Sequence, residues 1–314
     1  MADLYLITGG AGFIGSNLAD ALVRDGERVR IFDDFSSGRI ENLAAIRDQV
    51  EIIEGDLRDY DEVKRAMRGV NFVSHQGALR SVERSVDDPM SSNAVNVQGT
   101  LNVLQAARDA GVTRVAYASS SSAYGDTEVL PKTEDLTPAP ISPYAVSKLA
   151  AEHYCRVYSR LYGLDTVSLR YFNVFGPKQS PESKYAAVVP LFLRAAFKQE
   201  PLEIHGDGLQ SRDFTYIDNV VLANRLAMST TGVGGSVFNV ACGDRHSLID
   251  IADMIGRFLG RTLERNHVAS RRGDVRHTQA SIDRITTALD YRPPVGFEEG
   301  MRRTFEWFKG QWKG

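Results

Sequence analysis

The chain has 314 residues, of which 43% are hydrophobic, and its formal net charge is −3. This length is sufficient for one large core or for two lobes sharing a cleft, and the charge leaves no basic field for binding nucleic acid. Its two cysteines, Cys155 and Cys242, have no cysteine or histidine at metal-ligand spacing, so we expect neither a disulfide framework nor a metal site. This cysteine usage fits the reducing cytoplasm, and no apolar run reaches the roughly 18 residues of a membrane span, so no membrane partner is expected.

Short apolar runs alternate with longer segments of helical period along the first 170 residues. Such alternation is typical of parallel strands joined by crossover helices. The predicted strands are 4–7, 29–32, 50–53, 71–74, 114–118 and 166–170. The predicted helices are 13–25, 41–47, 60–67, 92–110 and 143–162. Together these elements predict an α/β chain built on a doubly wound parallel sheet.

Past residue 170 the regular alternation weakens. Gly176-Pro177, Ser180-Pro181 and the turn 206–208 separate shorter elements, as expected for a second lobe. The run 237–240 predicts one more buried strand, which can return to the main sheet. We therefore expect two interleaved lobes with ligands bound between them.

Three glycines lie between the first strand and the first helix. Gly9 permits a tight turn, Gly12 lets a diphosphate approach the backbone, and Gly15 allows the helix to pack closely on the strand. The helix N-terminus then faces the phosphates. A glycine pattern alone also fits a flexible turn, but its position between strand and helix predicts a dinucleotide site.

Acidic residues follow the next two strands. Asp33 can accept hydrogen bonds from both hydroxyls of an adenosine ribose and would repel a 2′-phosphate, so NAD is favoured over NADP. Arg39 lies close by in sequence and could bind a 2′-phosphate, so NADP stays an alternative. Asp56 fits the adenine edge and, equally well, a turn after Gly55.

A second candidate centre combines a helix and a serine run. Ser142 and Pro143 predict a helix start, and Tyr144 and Lys148 then lie one turn apart on one face. An ammonium group beside a phenol favours the phenolate, so Lys148 is expected to lower the pKa of Tyr144. The serines 119–122 follow the fifth strand at the carboxyl edge of the sheet, where chemistry occurs in such folds.

With these features the chain resembles the extended short-chain dehydrogenases/reductases, in their sugar-nucleotide epimerase branch. The resemblance spans the chain, and its motifs are Thr8-Gly-Gly-Ala-Gly-Phe-Ile-Gly15, Gly55-Asp-Leu57, Ala118-Ser-Ser-Ser-Ser-Ala-Tyr-Gly-Asp126, Ser142-Pro-Tyr-Ala-Val-Ser-Lys148, Arg170-Tyr-Phe-Asn173, Ser211-Arg-Asp213 and Arg271-Arg-Gly-Asp274. It implies a Rossmann-type sheet with a smaller α/β substrate-binding lobe. The NAD-binding domain would be 1–173, rejoined by about 213–242, and the UDP-sugar lobe 174–212 and 243–314.

The resemblance also implies roles for individual residues. Tyr144 would be the catalytic base, Lys148 would keep it ionised and hold the nicotinamide ribose, and Ser120 would contact the reacting sugar hydroxyl. The implied cofactor-binding residues are Gly9, Gly12, Phe13, Ile14, Gly15, Asp33, Asp56, Leu57, Tyr144 and Lys148. The implied substrate-binding residues are Ser120, Tyr144, Asn173, Val189, His205, Arg212, Arg271, Asp274 and Thr278.

Some of these substrate assignments leave alternatives. Forked guanidinium groups suit diphosphate oxygens, but the choice of Arg271 over Arg272 rests on the Arg-x-Gly-Asp spacing alone. By the resemblance, Val189 and His205 would line a uracil site. Val189 fits a core strand equally well, and His205 fits an exposed loop equally well.

The substrate hypothesis depends on Thr278, which matches a gate beside the C2 substituent of the sugar. A small gate leaves room for an N-acetyl group, so the resemblance favours a UDP-sugar 4-epimerase acting on UDP-N-acetylglucosamine and its galacto isomer, and also on UDP-glucose and UDP-galactose. Ser180 stands where uronate epimerases tend to carry arginine, which weakens UDP-glucuronate, although Lys178 or Lys184 could serve instead.

Two further activities stay open. Ser121 and Ser122 stand where 4,6-dehydratases carry acids, so a dehydratase or 4-ketoreductase is a weaker alternative. A non-catalytic NAD-binding module is the other, and Tyr144 and Lys148 argue against it. The resemblance further implies a homodimer formed by the helices 92–110 and 143–162, whose first member is apolar on more than one face.

Overall fold

The computed structural model describes residues 2–182, 186–269 and 275–312. Its strands are β1 (Leu4–Thr8), β2 (Arg28–Asp33), β3 (Val50–Glu54), β4 (Phe72–His75), β5 (Arg114–Ser120), β6 (Asp165–Tyr171), β7 (Val174–Phe175), β8 (Leu202–His205), β9 (Ser211–Arg212), β10 (Thr215–Tyr216), β11 (Ser236–Val240), β12 (His246–Ser247) and β13 (Arg265–Val268). Its helices are α1 (Phe13–Arg24), α2 (Tyr60–Ala66), α3 (Val82–Asp87), α4 (Pro89–Asn93), α5 (Gly99–Asp109), α6 (Pro143–Tyr162), α7 (Val188–Lys198), α8 (Ile217–Ser229), α9 (Leu248–Leu259), α10 (Asp283–Leu289) and α11 (Phe297–Gln311).

In the described part of the chain, seven strands form one parallel sheet in the order β3-β2-β1-β4-β5-β6-β11. The chain winds outward from β1 in one direction and from β4 in the other, so the topology switches between these two strands. Ligands bind beyond the carboxyl ends of strands at such a switch point. The predicted doubly wound sheet is confirmed, and so is the return of the 237–240 run, which pairs with β6.

Helices cover both faces of the sheet and bury two apolar layers. One layer contains Leu18 and Leu22 of α1 and continues without a break to Phe297 and Phe305 of α11. The other packs the strands against α2, α5 and α6. Strands buried on both faces must be apolar throughout, and for this reason they are visible in the sequence as continuous apolar runs.

The predicted helix 41–47 is wrong. Two short 3₁₀ turns, Ile40–Leu43 and Arg47–Gln49, lie there instead. Leu43 and Ile46 are the buried residues of this stretch, and their spacing of three suits a 3₁₀ turn better than an α-helix.

The predicted helix 92–110 is interrupted. Helical structure begins earlier, at Pro89, and passes through a π segment, Ala94–Gln98, before α5. Asn96 in this segment is buried and bonds both backbone groups of Leu79, accepting from N–H at 2.8 Å and donating to C=O at 3.0 Å. Its amide also donates to Ser147 of α6 at 3.0 Å. The π turn thus joins the loop after β4 to α6.

The expectation of shorter elements past residue 170 holds for the strands, which have two to five residues, but not for the helices. The helices α8, α9 and α11 have 13, 12 and 15 residues. Around them, β7 pairs with β10, β8 with β13 and β9 with β12 in two-stranded sheets. Within the described ranges, no helix is both long and apolar enough to cross a lipid bilayer.

Candidate active site

The turn after β1 requires glycine at two of the predicted positions. Gly9 has a φ of +64°, and a Cβ there would lie 2.7 Å from Cα of Gly77. A Cβ on Gly15 would lie 2.3 Å from the carbonyl oxygen of Gly9. Any side chain would therefore push α1 and the loop after β4 away from the turn.

The N-terminus of α1 is open. Gly12 is its N-cap and forms no side-chain cap, and the first turn carries no acidic residue. The free N–H groups of this turn and the positive end of the helix dipole suit the diphosphate of a dinucleotide. The residues present therefore fit the predicted cofactor.

Asp33 ends β2, and two backbone N–H groups hold its carboxylate in place. Its oxygens accept from the N–H of Ala11 and of Phe35, both at 2.9 Å. Burial raises the pKa of Asp33, and these two bonds oppose the rise. Arg39, the residue that could have bound a 2′-phosphate, forms an ion pair with Glu182 instead. This arrangement supports NAD over NADP.

Asp56 lines the same groove as Leu57, Gly9 and Asp33, where its contact with an adenine stays a prediction. It also organises its own turn, accepting from the backbone N–H of Arg58 at 2.8 Å and from the Arg58 Nε at 2.8 and 3.0 Å. The Arg58 guanidinium holds the pKa of Asp56 below its usual value.

All ten predicted cofactor residues line one groove at the carboxyl edge of the sheet, which we call the cofactor groove; they are Gly9, Gly12, Phe13, Ile14, Gly15, Asp33, Asp56, Leu57, Tyr144 and Lys148. Their role there remains a prediction. The same groove contains residues that sequence reasoning did not assign to it, namely the loop 76–80 and Tyr171. Both follow or end sheet strands, so their position at the carboxyl edge was the signal that could have found them.

The catalytic candidates come together from β5 and α6. Ser142 caps α6 by accepting from the N–H of Ala145 at 3.2 Å, which starts the helix at the predicted residue. Tyr144 and Lys148 then both face the cofactor groove. Ser120 ends β5, and its side chain acts on the phenol of Tyr144, lowering the pKa of that group.

The electrostatics of this pair differ from the prediction. Burial raises the pKa of Tyr144 above its usual value, and Ser120 and Arg80 act against the rise. Burial also lowers the pKa of Lys148 to about 7, so this amine is only partly protonated near neutral pH. The expectation that Lys148 lowers the pKa of Tyr144 is therefore wrong for the protein by itself. The guanidinium of Arg80, which the sequence did not single out, is the cation that acts on the phenol.

A buried ion pair lies directly behind these residues. Glu152, one turn after Lys148 on α6, contacts Arg170 of β6 at 2.7 and 2.9 Å, and their side chains are 1% and 4% exposed. Ser119 donates to the same carboxylate at 2.7 Å. The pair thus ties α6 to the ends of both strands beside the catalytic candidates.

A second cavity, of about 470 Å³, opens beside the cofactor groove, and we call it the nucleotide cavity. It contains four predicted substrate residues: Asn173, Val189, His205 and Arg212. Val189 lies in α7, and His205 ends β8. Arg212 Nη1 donates to the carbonyls of Ser211 and Arg276 at 2.9 and 3.2 Å, which fixes its guanidinium. The cavity also includes Phe192 and Arg194 of α7, which the sequence did not indicate.

The remaining predicted substrate residues are Thr278, Arg271 and Asp274, and the structure describes Thr278 among them. Thr278 is 9% exposed and donates its backbone N–H to the carbonyl of Ser211, next to Arg212, at 3.0 Å. Its hydroxyl has no partner among the described residues. Arg271, its alternative Arg272, and Asp274 lie outside the described residues.

Neighbouring stretches of the chain line the two cavities. The loop 76–80 lines the cofactor groove, and Val82 and Glu83, which follow it at the start of α3, line the nucleotide cavity. Likewise Tyr171 lies in the first and Asn173 in the second. The backbone N–H of Tyr144 donates to Ser85 of α3 at 3.0 Å, so Tyr144 lies against the helix that begins at the nucleotide cavity.

Known proteins share this arrangement. The model of the NAD dependent epimerase/dehydratase family matches residues 5–241. A UDP-glucose 4-epimerase of Mycolicibacterium smegmatis is 39% identical over 310 residues, covering 98% of each chain. A UDP-N-acetylglucosamine 4-epimerase of Methanobrevibacter ruminantium, solved with UDP-N-acetylmuramic acid, has a TM-score of 0.94 and 37% identity over 99% of this chain and 100% of that one. A UDP-glucuronic acid 4-epimerase of Bacillus cereus, solved with its UDP-sugar and NAD, has a TM-score of 0.91 and 30% identity over 98% and 100%. The chain belongs to the NAD-dependent epimerase/dehydratase family, as its motifs predicted.

Proposed function

We propose that this protein is a UDP-sugar 4-epimerase that interconverts C4 epimers through a 4-keto sugar. One observation carries the proposal: Tyr144 lines the cofactor groove and donates its backbone N–H to Ser85 of α3, the helix whose first residues line the nucleotide cavity. A base in this position can act on the hydroxyl of a sugar whose nucleotide occupies the nucleotide cavity, while the cofactor is bound alongside. The names of the similar proteins support the same reaction.

Each residue then has a defined task. NAD, when bound, supplies a hydride acceptor that later returns the hydride, so no net oxidation occurs. Tyr144 takes the proton of the 4-hydroxyl as general base, and Ser120 stabilises the phenolate that accepts this proton. Arg212, fixed by its two carbonyl contacts, holds the diphosphate while the sugar turns and presents its other face.

For the substrate we propose UDP-N-acetylglucosamine and its galacto isomer, with UDP-glucose and UDP-galactose as further substrates. The resemblance supports this choice, because the position that matches the gate is occupied by the small Thr278; in the structure Thr278 is 9% exposed and lines neither cavity. Lys178, one of the two lysines that could have met a uronate carboxylate, is engaged by Asp20 at 2.6 Å and the carbonyl of Asn42 at 2.7 Å. Lys184, the other lysine, lies outside the described residues. UDP-glucuronate is the weaker substrate hypothesis because Ser180 stands where uronate epimerases tend to carry arginine.

A competition experiment tests the proposal. The purified protein is incubated without added cofactor with UDP-N-acetylglucosamine, UDP-glucose and UDP-glucuronate, and products are identified by chromatography and NMR. We expect C4 epimers, with N-acetylated sugar turned over best, and we expect Thr278→Tyr to lose that turnover while keeping turnover of UDP-glucose. A one-way 4-keto-6-deoxy product would contradict the proposal and indicate a dehydratase.

We further propose a homodimer. Val146, Tyr154, Val157 and Leu161 recur every three to eight residues along α6 and are 38–72% exposed. Ala94, Val97 and Leu101 form a half-exposed stripe on the neighbouring helical stretch. Apolar stripes on two adjacent helices suit a self-complementary contact between two copies.

The lobe division and the compartment are proposals too. We assign 1–173 and 213–242 to the NAD-binding lobe, because all residues that line the cofactor groove fall within 1–173. We assign 174–212 and 243–314 to the UDP-sugar lobe, because most residues that line the nucleotide cavity fall within 174–212. A cytoplasmic location is supported by the thiols of Cys155 and Cys242, which are both free.

A further inference from the structure

Two hydroxyl groups stand in series behind Tyr144. Ser120 is the N-cap of the short 3₁₀ turn Ser121–Tyr124, and its Oγ accepts from the backbone N–H of Ser122 at 3.2 Å. The hydroxyl of Ser122 donates to the same Oγ at 2.8 Å. Within the described part of the chain, the hydroxyl of Ser121, between them, forms no hydrogen bond.

The direction of these bonds follows from counting protons. A serine hydroxyl has one proton and two acceptor sites. With the N–H and O–H of Ser122 both donating, the acceptor sites of Ser120 are filled and only its own proton remains. That proton is free to be donated to the phenolic oxygen of Tyr144, whose pKa the side chain of Ser120 lowers. A donated hydrogen bond stabilises the phenolate, which burial otherwise disfavours.

We propose that Ser122 is a positioning residue, which orients the hydroxyl of Ser120 as a donor to Tyr144. This inference rests on the proposed function of Tyr144 as the base. When Tyr144 has taken a proton from the substrate, its phenol becomes a donor, and the Ser120 proton turns toward the oxygen of Ser122. The serine pair thus serves both protonation states of the base by rotating two hydroxyls, without movement of heavy atoms.

The test compares Ser122→Ala with Ser121→Ala, a matched loss of one hydroxyl in the same turn, and with Ser122→Thr, which keeps the hydroxyl. The ionisation of Tyr144 is followed in the protein as purified by ultraviolet difference titration, with Tyr144→Phe as the blank. We expect Ser122→Ala to weaken this ionisation roughly three- to tenfold, the effect of losing one hydrogen bond. We expect kcat to fall by a similar factor with KM unchanged, Ser121→Ala to match wild type and Ser122→Thr to restore both quantities.

Each other result overturns one claim. If the Tyr144 titration is unmoved in Ser122→Ala while KM rises, Ser122 acts on substrate alone and the proposal is wrong. If Ser121→Ala shifts the titration equally, the effect is general loosening of the turn, and the proposal is wrong as well. If the titration shifts as expected but wild type does not interconvert C4 epimers, the role of Ser122 is supported and the proposed 4-epimerase function is wrong.

Discussion

Burial opposes ionisation of Tyr144, and Ser120 and Arg80 favour it. If Tyr144 is the base, Tyr144→Phe removes the proton acceptor but keeps the ring. We expect kcat to fall by about 10³-fold, within the range of general acid–base catalysis, with bound NAD and thermal stability unchanged.

Product formation and the NAD released on heating check this expectation. Tyr162→Phe, an exposed tyrosine on the same helix, is the control and should behave as wild type. Full activity in Tyr144→Phe would favour a non-catalytic NAD-binding module.

Asp213, next to Arg212, gives the molecule a predictable dependence on pH. Its carboxylate accepts the N–H of Cys242 and Gly243 at 3.0 Å each and of Ala280 at 3.2 Å, and burial raises its pKa to about 7. The folded protein therefore binds this proton more tightly than the unfolded chain, so the contribution to stability is complete below the unfolded pKa and is lost as pH rises through about 7.

We therefore expect the free energy of unfolding to decline between about pH 4 and pH 7, by on the order of 4 kcal/mol at most. Urea unfolding at a series of pH values measures this decline. Asp213→Asn has no titrating group at this position and should lack it; an equal decline in the variant would contradict the assignment.

At the scale of elements, the contact between α6 and the sheet depends on the buried pair of Glu152 and Arg170. Removing one partner leaves a buried charge unpaired, so we expect Arg170→Met to cost roughly 3–5 kcal/mol of unfolding free energy. Replacing both partners with methionine should cost much less, because two apolar side chains need no partner. Urea unfolding of the single and double variants measures the difference, and additive losses would refute the expectation.

At the scale of the whole molecule, the exposed apolar stripe of α6 predicts self-association. Leu161 is 72% exposed, and a charge there would be desolvated at a contact between two copies. We expect Leu161→Glu to convert a dimer into a monomer in sedimentation velocity. Leu209→Glu, on a distant turn and 56% exposed, is the control and should remain dimeric. A wild-type protein that is monomeric in the same experiment would contradict the proposed homodimer.

Much of the architecture could be read from the sequence because the relevant signals are local. Strands buried on both faces must be apolar, so the central strands of the main sheet appear as apolar runs. Glycine at 9 and 15 is required by contacts within one turn, and Ser142-Pro143 starts α6 through its own backbone. For the same reason all ten predicted cofactor residues line one groove, since they lie at the ends of strands and the starts of helices.

What only the tertiary structure decided depends on residues far apart in the chain. The 3₁₀ turns at 40–49 and the π segment around Asn96 follow from contacts with other elements, among them Leu79 and Ser147. The pKa of Tyr144 depends on burial and on Arg80, 64 positions earlier in the printed sequence, and not on the lysine one helical turn away. Local pattern therefore determined the sheet, the glycine turn and the identity of the catalytic candidates, whereas desolvation and long-range packing, which no short segment contains, decided their electrostatics.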